Sequence, residues 1–426
     1  MANMTDYLAW RGDLLLSVAP WNEIDALLAA TICYLDFNGG EDPRGWTLEE
    51  MARIGLIRKG TSSAFPGRKA AFEAMASSER FRGTRLHHAI SITDEESEMQ
   101  FSALCLDLPD GTTCVAFRGT DNTIIGWRED FNMAYTSRVP AQEAAVFYLS
   151  RAAGISDRPL RLVGHSKGGN LAVYAAACSD PEVQDRIESV WSFDGPGMNR
   201  EVSQGEGFGR IREKIRSFIP QTSIIGLLMD YYEPYTVVTS TASGISQHDP
   251  MSWLVYGPRF ETQPAVDRTA EVVRDTLHDW LRNSSPEQRA EFVDAMFRMV
   301  ETTNAQRMSD LTREKLKSLL TMVGNRKEVS PEVRRVFNRF MAQAVTLGFG
   351  NVIDRVRGRK DESEGDEWET MSPERRRELQ SARERGVKDA SADTGSAGDP
   401  EEAPAPPKLS PGTVLGDNIA NPNSSG

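Results

Sequence analysis

The stretch Leu160-Arg161-Leu162-Val163-Gly164-His165-Ser166-Lys167-Gly168-Gly169-Asn170-Leu171-Ala172-Val173-Tyr174-Ala175-Ala176 decides how this chain of 426 residues is read. A short apolar run with strand character meets Gly-His-Ser-Lys-Gly and passes at once into an alanine-rich helical pattern, so Ser166 falls on a strand-to-helix turn. A hydroxyl on such a turn stands clear of the sheet edge, beside the first amides of a helix, whose positive end favours a developing oxyanion. Gly164 and Gly168 lack the Cβ atoms that strained angles and close strand-to-helix approach would reject. G-x-S-x-G alone is a weak signal. Flanked by the strand and helix it needs, it marks a nucleophile elbow.

Working outward, segments 88–92, 100–108 and 112–117 carry strand patterns, with Asp110-Gly111 as a hairpin turn before the third. An antiparallel β-meander is therefore expected ahead of the elbow. Its last strand ends in Arg118-Gly119-Thr120-Asp121, where the Thr120 amide is placed to supply half of an oxyanion hole. A helix over 140–153 then leads to the elbow strand, which is the spacing of a parallel β-α-β unit. Downstream, strand 188–193 stops at Asp194-Gly195-Pro196-Gly197, holding a carboxylate at the sheet edge where open α/β sheets bind ligands. Segments 215–220 and 235–240 read as further strands, the second as the last. The apolar stretch 224–229 reads as a buried helix or as a wall of an acyl pocket.

Towards the N-terminus two helices are expected over 5–36, with Asn22 and Asp25 at solvated positions. Beyond residue 262 the periodicity becomes wholly helical, with stripes such as Phe292, Met296 and Met299 that suit a bundle core or a docking face for a protein partner. From residue 358 the chain is rich in Glu, Arg, Ser, Pro and Gly, with too little apolar content to offset ordering entropy. Three units follow: 1–262 for the α/β domain, 263–357 for the helical region and 358–426 for an acidic, disordered tail.

The net charge of −13 argues against a nucleic-acid surface, which needs clustered Lys and Arg. Cys33, Cys105, Cys114 and Cys178 show no CxxC or Cys/His spacing, so buried thiols are expected, with neither metal nor disulfide. No basic segment precedes an apolar one at the start, and no apolar run reaches the roughly 18 residues of a membrane span. A cytoplasmic protein with no transmembrane segment and no cofactor is the expectation.

A serine hydroxyl becomes nucleophilic when a base removes its proton and a carboxylate holds that base in its working tautomer. Of the five histidines, His87 and His88 lie in early strands, His165 is inside the elbow and His278 sits in a helical pattern. His248 alone follows the final expected strand in a loop, in the chain order Ser, Asp, His. For the acid, Asp194 ranks first, ahead of Asp230 and of Asp249.

Gly164-His165-Ser166-Lys167-Gly168-Gly169-Asn170-Leu171-Ala172 resembles the elbow of the class 3 (fungal-type) lipases among the α/β-hydrolases, and Phe117-Arg118-Gly119-Thr120 resembles their oxyanion strand. The run from Asp6-Tyr7-Leu8-Ala9-Trp10 to Gln247-His248-Asp249-Pro250 is similar to a bacterial family of lipase-like proteins, over about residues 5–260. The resemblance implies an α/β-hydrolase fold and oxyanion donation by the amides of Thr120 and Lys167. One departure stands out: class 3 lipases take their acid from the strand after the Gly-x-Pro turn, and here that strand runs into Ile219-Pro220-Gln221-Thr222-Ser223 without a carboxylate. Either Asp194 serves from the earlier strand or the acid is missing. The expected activity is hydrolysis of carboxylic esters, acyl lipids among them, through Ser166, His248 and Asp194. A thioesterase or acyltransferase using the same site, and a silent scaffold that binds a partner, are the alternatives.

Overall fold

A computed structural model of the chain describes residues 2–291 apart from 38–39, 41, 43, 58–66, 121–123, 134–135, 137, 224, 269, 272–273, 276–282, 286 and 290. The chain divides into two units, Met1–Ser372 and Pro373–Gly426, and every described residue belongs to the first. The expected tail 358–426, and nearly all of the expected helical region 263–357, lie outside the described residues.

Two helices open the chain, α1 (Met4–Arg11) and α2 (Glu23–Ile32). Each begins at an asparagine cap, Asn3 or Asn22, whose side chain accepts from the first-turn amides while Asp6 or Asp25 bonds back to the cap amide. The expectation of solvated positions fails for Asp25, while Asn22 is half-buried. Asp25 is fully buried, and Arg80 donates to its two oxygens at 2.8 and 2.5 Å and to the carbonyls of Leu14 and Ala19. Because residues 24–32 of α2 are all buried, the first-turn carboxylate goes inside with them, where only a paired cation makes it tolerable.

Two short helices follow, α3 (Leu48–Ile54) and α4 (Arg68–Ser77), preceded by the edge strand β1 (Trp46–Thr47). The meander is β2 (Arg85–Asp94), β3 (Met99–Asp107) and β4 (Thr113–Phe117), each antiparallel to the next, with β1 on its outer edge. After α5 (Ile124–Met133) and α6 (Pro140–Ile155) come β5 (Leu160–His165), α7 (Lys167–Cys178), β6 (Ile187–Phe193), β7 (Ile215–Pro220) and β8 (Tyr235–Val238). Strands β4 to β8 run parallel. A hairpin of β9 (Val255–Tyr256) and β10 (Arg259–Phe260) stands apart, and β11 (Thr262–Gln263) closes antiparallel on β8. Among the described residues this makes one sheet of nine strands in the order β1-β2-β3-β4-β5-β6-β7-β8-β11, the α/β-hydrolase fold with its mostly parallel centre. Segment 235–240 is thus not the last strand; two-residue strands are too short to print an alternation in the sequence.

The central strands are covered on both faces. Val115, Phe117, Leu160 and Leu162, alternate side chains of β4 and β5, share a buried cluster with Ala145 and Leu149 of α6 and Leu171 and Ala175 of α7. Helix α2 packs against β4, β5 and β6 outside that cluster. Three of the four thiols are buried as expected, whereas Cys178 is exposed at the end of α7. Of segment 224–229, residue 224 lies outside the described residues; the expected buried helix is replaced by a 3₁₀ turn at Gly226–Leu228, where the Gly226 amide bonds to side-chain oxygens of Ser223 and Asp194. No helix among the described residues is long and apolar enough to cross a membrane.

The register of β5 against α7 depends on two missing side chains. A Cβ on Gly164 would stand 2.0 Å from the Gly168 carbonyl oxygen, and one on Gly168 would stand 2.2 Å from that of Phe117. Backbone cannot yield to that extent. Gly164→Ala is expected to cost about 3 kcal/mol or more, judged by overpacking costs elsewhere, and urea denaturation reads it directly.

Candidate active site

Ser166 caps α7 with φ 59° and ψ −134°, a left-handed conformation that a non-glycine residue adopts only when its surroundings enforce it. Its amide donates to the Phe193 carbonyl at 2.9 Å, extending the β5–β6 ladder by one residue. The following amide, that of Lys167, opens the helix, in the first turn where amides lack intrahelical partners.

Asp194 repeats the device one strand over. It follows β6 with φ 49°, its amide donates to Phe218 of β7 at 2.7 Å, and its side chain is buried. His248 ends the 3₁₀ turn Gly244–His248, and its Nδ1 lies 2.6 Å from Asp194 Oδ2. The other carboxylate oxygen, Oδ1, accepts from Ser223 Oγ at 2.5 Å and from the Gly226 amide at 3.2 Å. With Oδ1 taken by donors, Oδ2 is left to face the imidazole. The turn carrying His248 is tied down by its neighbour Gln247, whose carbonyl accepts from Trp253 Nε1 and whose side chain bonds the Thr222 amide and the Ala242 carbonyl.

The other acid candidates are placed differently. Asp249 Oδ1 caps the Met251 amide at 3.0 Å, and Asp230 is exposed, its carbonyl accepting from the Met198 amide.

On the opposite side of Ser166 the β4 end closes in: a Cβ on Gly119 would stand 2.9 Å from Ser166 Cβ. Thr120, the next residue, is buried and donates its hydroxyl to Asp130 Oδ2 of α5 in a short hydrogen bond. Burial pushes the Asp130 carboxyl up to about 6, against the opposing pull of Lys167 and of the Thr120 bond. The Lys167 side chain is buried, and its Nζ donates at 2.8 and 2.9 Å to the carbonyl and amide oxygens of Gln100 and at 2.9 Å to Glu129 Oε2. Glu129 in turn accepts from the Gln100 and Ala141 amides. Residues 129 and 130 therefore tie α5 to the elbow on one side and to the Thr120 loop on the other. Among the described residues, no group of three or more His, Cys, Asp or Glu could hold a metal ion.

Of the sequence-derived candidates, Asp194 and His248 meet directly, and Ser166, Gly164, Gly168, Lys167 and Thr120 share the same rim of the sheet. Ser223, Glu129, Asp130 and Tyr34 were not among them. A serine in a loop and acids within a helical pattern print no signal of their own. The stretch 219–223 stands out in the sequence by lacking a carboxylate, and that does not single out Ser223.

Lys167→Met is expected to destabilise the fold by about 3–5 kcal/mol by stranding the buried Glu129 charge. Adding Glu129→Gln should recover part of that loss in urea melts, since the unpaired charge is then gone.

A family model described as Mbeg1-like matches residues 75–298. No curated protein matches the chain. Among solved structures, a crystal structure of M37 lipase is 13% identical over 49% of this chain and 70% of its own, with a TM-score of 0.33. A triacylglycerol lipase from Penicillium expansum is 14% identical over 43% of this chain and 81% of its own, with a TM-score of 0.26. A Rhizomucor miehei lipase in a propeptide complex is 12% identical over 59% and 76%, with a TM-score of 0.29.

Proposed function

The chain belongs to the Mbeg1-like family, and from that premise and the contacts at the sheet rim we propose that it is a serine hydrolase of carboxylic esters, acyl lipids included. The observation that carries the reading is the 2.6 Å contact between His248 Nδ1 and the buried Asp194 carboxylate, at a sheet rim that also carries a serine held at positive φ on a strand-to-helix turn. A carboxylate on Nδ1 keeps the proton there and leaves Nε2 as the basic nitrogen.

In this mechanism His248 Nε2 takes the Ser166 hydroxyl proton as Oγ attacks the ester carbonyl, forming a tetrahedral intermediate. The Thr120 and Lys167 amides stabilise its oxyanion, a donor of this kind being worth on the order of 3 kcal/mol. The imidazolium returns the proton to the departing alcohol, leaving Ser166 acylated. Water, deprotonated by the same imidazole, then releases the carboxylic acid and restores the hydroxyl. Asp194 supports the transient positive charge on His248.

The purified protein is expected to react with a fluorophosphonate probe and to hydrolyse short acyl esters, with Ser166→Ala losing both. Asp194→Asn should lower kcat by roughly 10⁴, since an amide no longer enforces the working tautomer. Refusal of probe and esters alike by the folded wild-type protein would sink the reading. Ser223→Ala should lower kcat about tenfold to a hundredfold, the worth of one hydrogen bond to a buried charge, with KM little changed in ester hydrolysis.

A further inference from the structure

His165 stands between the first elbow glycine and the nucleophile, yet the mechanism above leaves it without a task. Its ring is wholly buried and lies 4.6 Å from that of His248, centroid to centroid. Nε2 is 2.8 Å from the main-chain carbonyl oxygen of His248, and Nδ1 is 2.9 Å from the Tyr34 hydroxyl. A carbonyl oxygen only accepts, so Nε2 must carry a proton for that contact to be attractive. Burial, with the His248 ring and the Arg68 guanidinium close by, keeps the ring's pKa well below the usual histidine range, so the imidazole is neutral. A neutral ring with its proton on Nε2 has a bare Nδ1 that accepts from the Tyr34 hydroxyl, which also lies 3.2 Å from the His165 main-chain oxygen. The Nε2 contact assigns the tautomer, and the Tyr34 hydroxyl complements it.

The consequence reaches the base. The carbonyl of His248 belongs to the same residue as the imidazole that meets Asp194, and anchoring that main-chain group limits how far the ring can swing. The anchor itself cannot drift, because His165 is the last residue of β5 and pairs with Phe193 of β6, the residue before Asp194. Base and acid are thus located from one pair of neighbouring strand ends. Tyr34 sits at the junction: its ring lies under the Arg68 guanidinium at 3.6 Å, and its hydroxyl is so close to Gly119 that a Cβ there would stand 2.1 Å away.

We infer that His165 is a positioning residue of this site: its Nε2–H grips the main-chain carbonyl of His248 and holds the imidazole on Asp194, while the Tyr34 hydroxyl complements the tautomer that makes the grip. The claim rests on the ester-hydrolase reading for its effect on rate. Its geometric content is independent of that reading.

The test uses the full chain with three replacements at 165 and one at 34. Glutamine places an amide N–H as many bonds from Cβ as the imidazole Nε2, asparagine falls one bond short, and leucine has no donor. His165→Leu and His165→Asn should lower kcat at least about tenfold with KM unchanged, and His165→Gln should return it to within about threefold of wild type. Tyr34→Phe, which keeps the ring, should cost about threefold to tenfold in kcat by removing the donor that complements the tautomer. In parallel, proton NMR follows the downfield Nδ1–H signal of His248. It should persist in wild type and His165→Gln and weaken or vanish in the leucine and asparagine variants.

A generic packing role would raise no contrast between glutamine and asparagine, so equal impairment of the two overturns the inference. So does a folded leucine variant with wild-type kcat and an intact signal. If the leucine variant does not fold, the glutamine–asparagine contrast and Tyr34→Phe decide. If wild type takes up no fluorophosphonate and cleaves no ester, the ester-hydrolase reading falls, and the NMR comparison alone rules on the positioning of His248.

Discussion

Everything at the sheet rim depends on how closely helix α7 is allowed to approach the strands beneath it. With hydrogen atoms in place of side chains at 164 and 168, the first turn of α7 comes into contact with both β5 and the end of β4. That proximity is what sets Ser166 against Gly119 and brings the Thr120 loop alongside. One methyl group at either glycine would lever the helix off the sheet, and the Ser166 hydroxyl and the buried Lys167 pair would move with it.

A second layer of constraint comes from charge. Lys167 lies one residue past the hydroxyl and is almost wholly buried, and Glu129 and Gln100 satisfy it. Such a pair contributes little net stability, because desolvating two ions offsets most of their attraction. What it supplies is direction: a cation that must find this carboxylate fixes how α5 docks over the elbow. Asp25 and Arg80 do the same under the N-terminal helices.

The sheet was legible in the sequence because its alternation, its Asp-Gly turn and its strand-to-helix junction are local signals. The meander, the elbow strand and the two strands after it fall close to where their patterns put them. The edge strands β9 to β11 were not, because pairs of residues carry no period. The site was half legible. His248 could be singled out by its place in the chain order, and Asp194 by its place at a strand end. Ser223, which bonds Asp194, and Tyr34, which bonds His165, make tertiary contacts between segments 29 and 131 residues apart, which no local pattern records. Asp25 was misread for a related reason: a charged residue in a helix looks solvated until the guanidinium that accompanies it inside is known.

The pairing of Phe193 with Phe218 lays the ends of β6 and β7 side by side, and Asp194 and Ser223 touch across that seam. The carboxylate that meets His248 is therefore seated by two strands at once: its backbone continues β6, and one of its oxygens is claimed by a side chain that follows β7. A slip of either strand along the other would carry the carboxylate's whole setting with it.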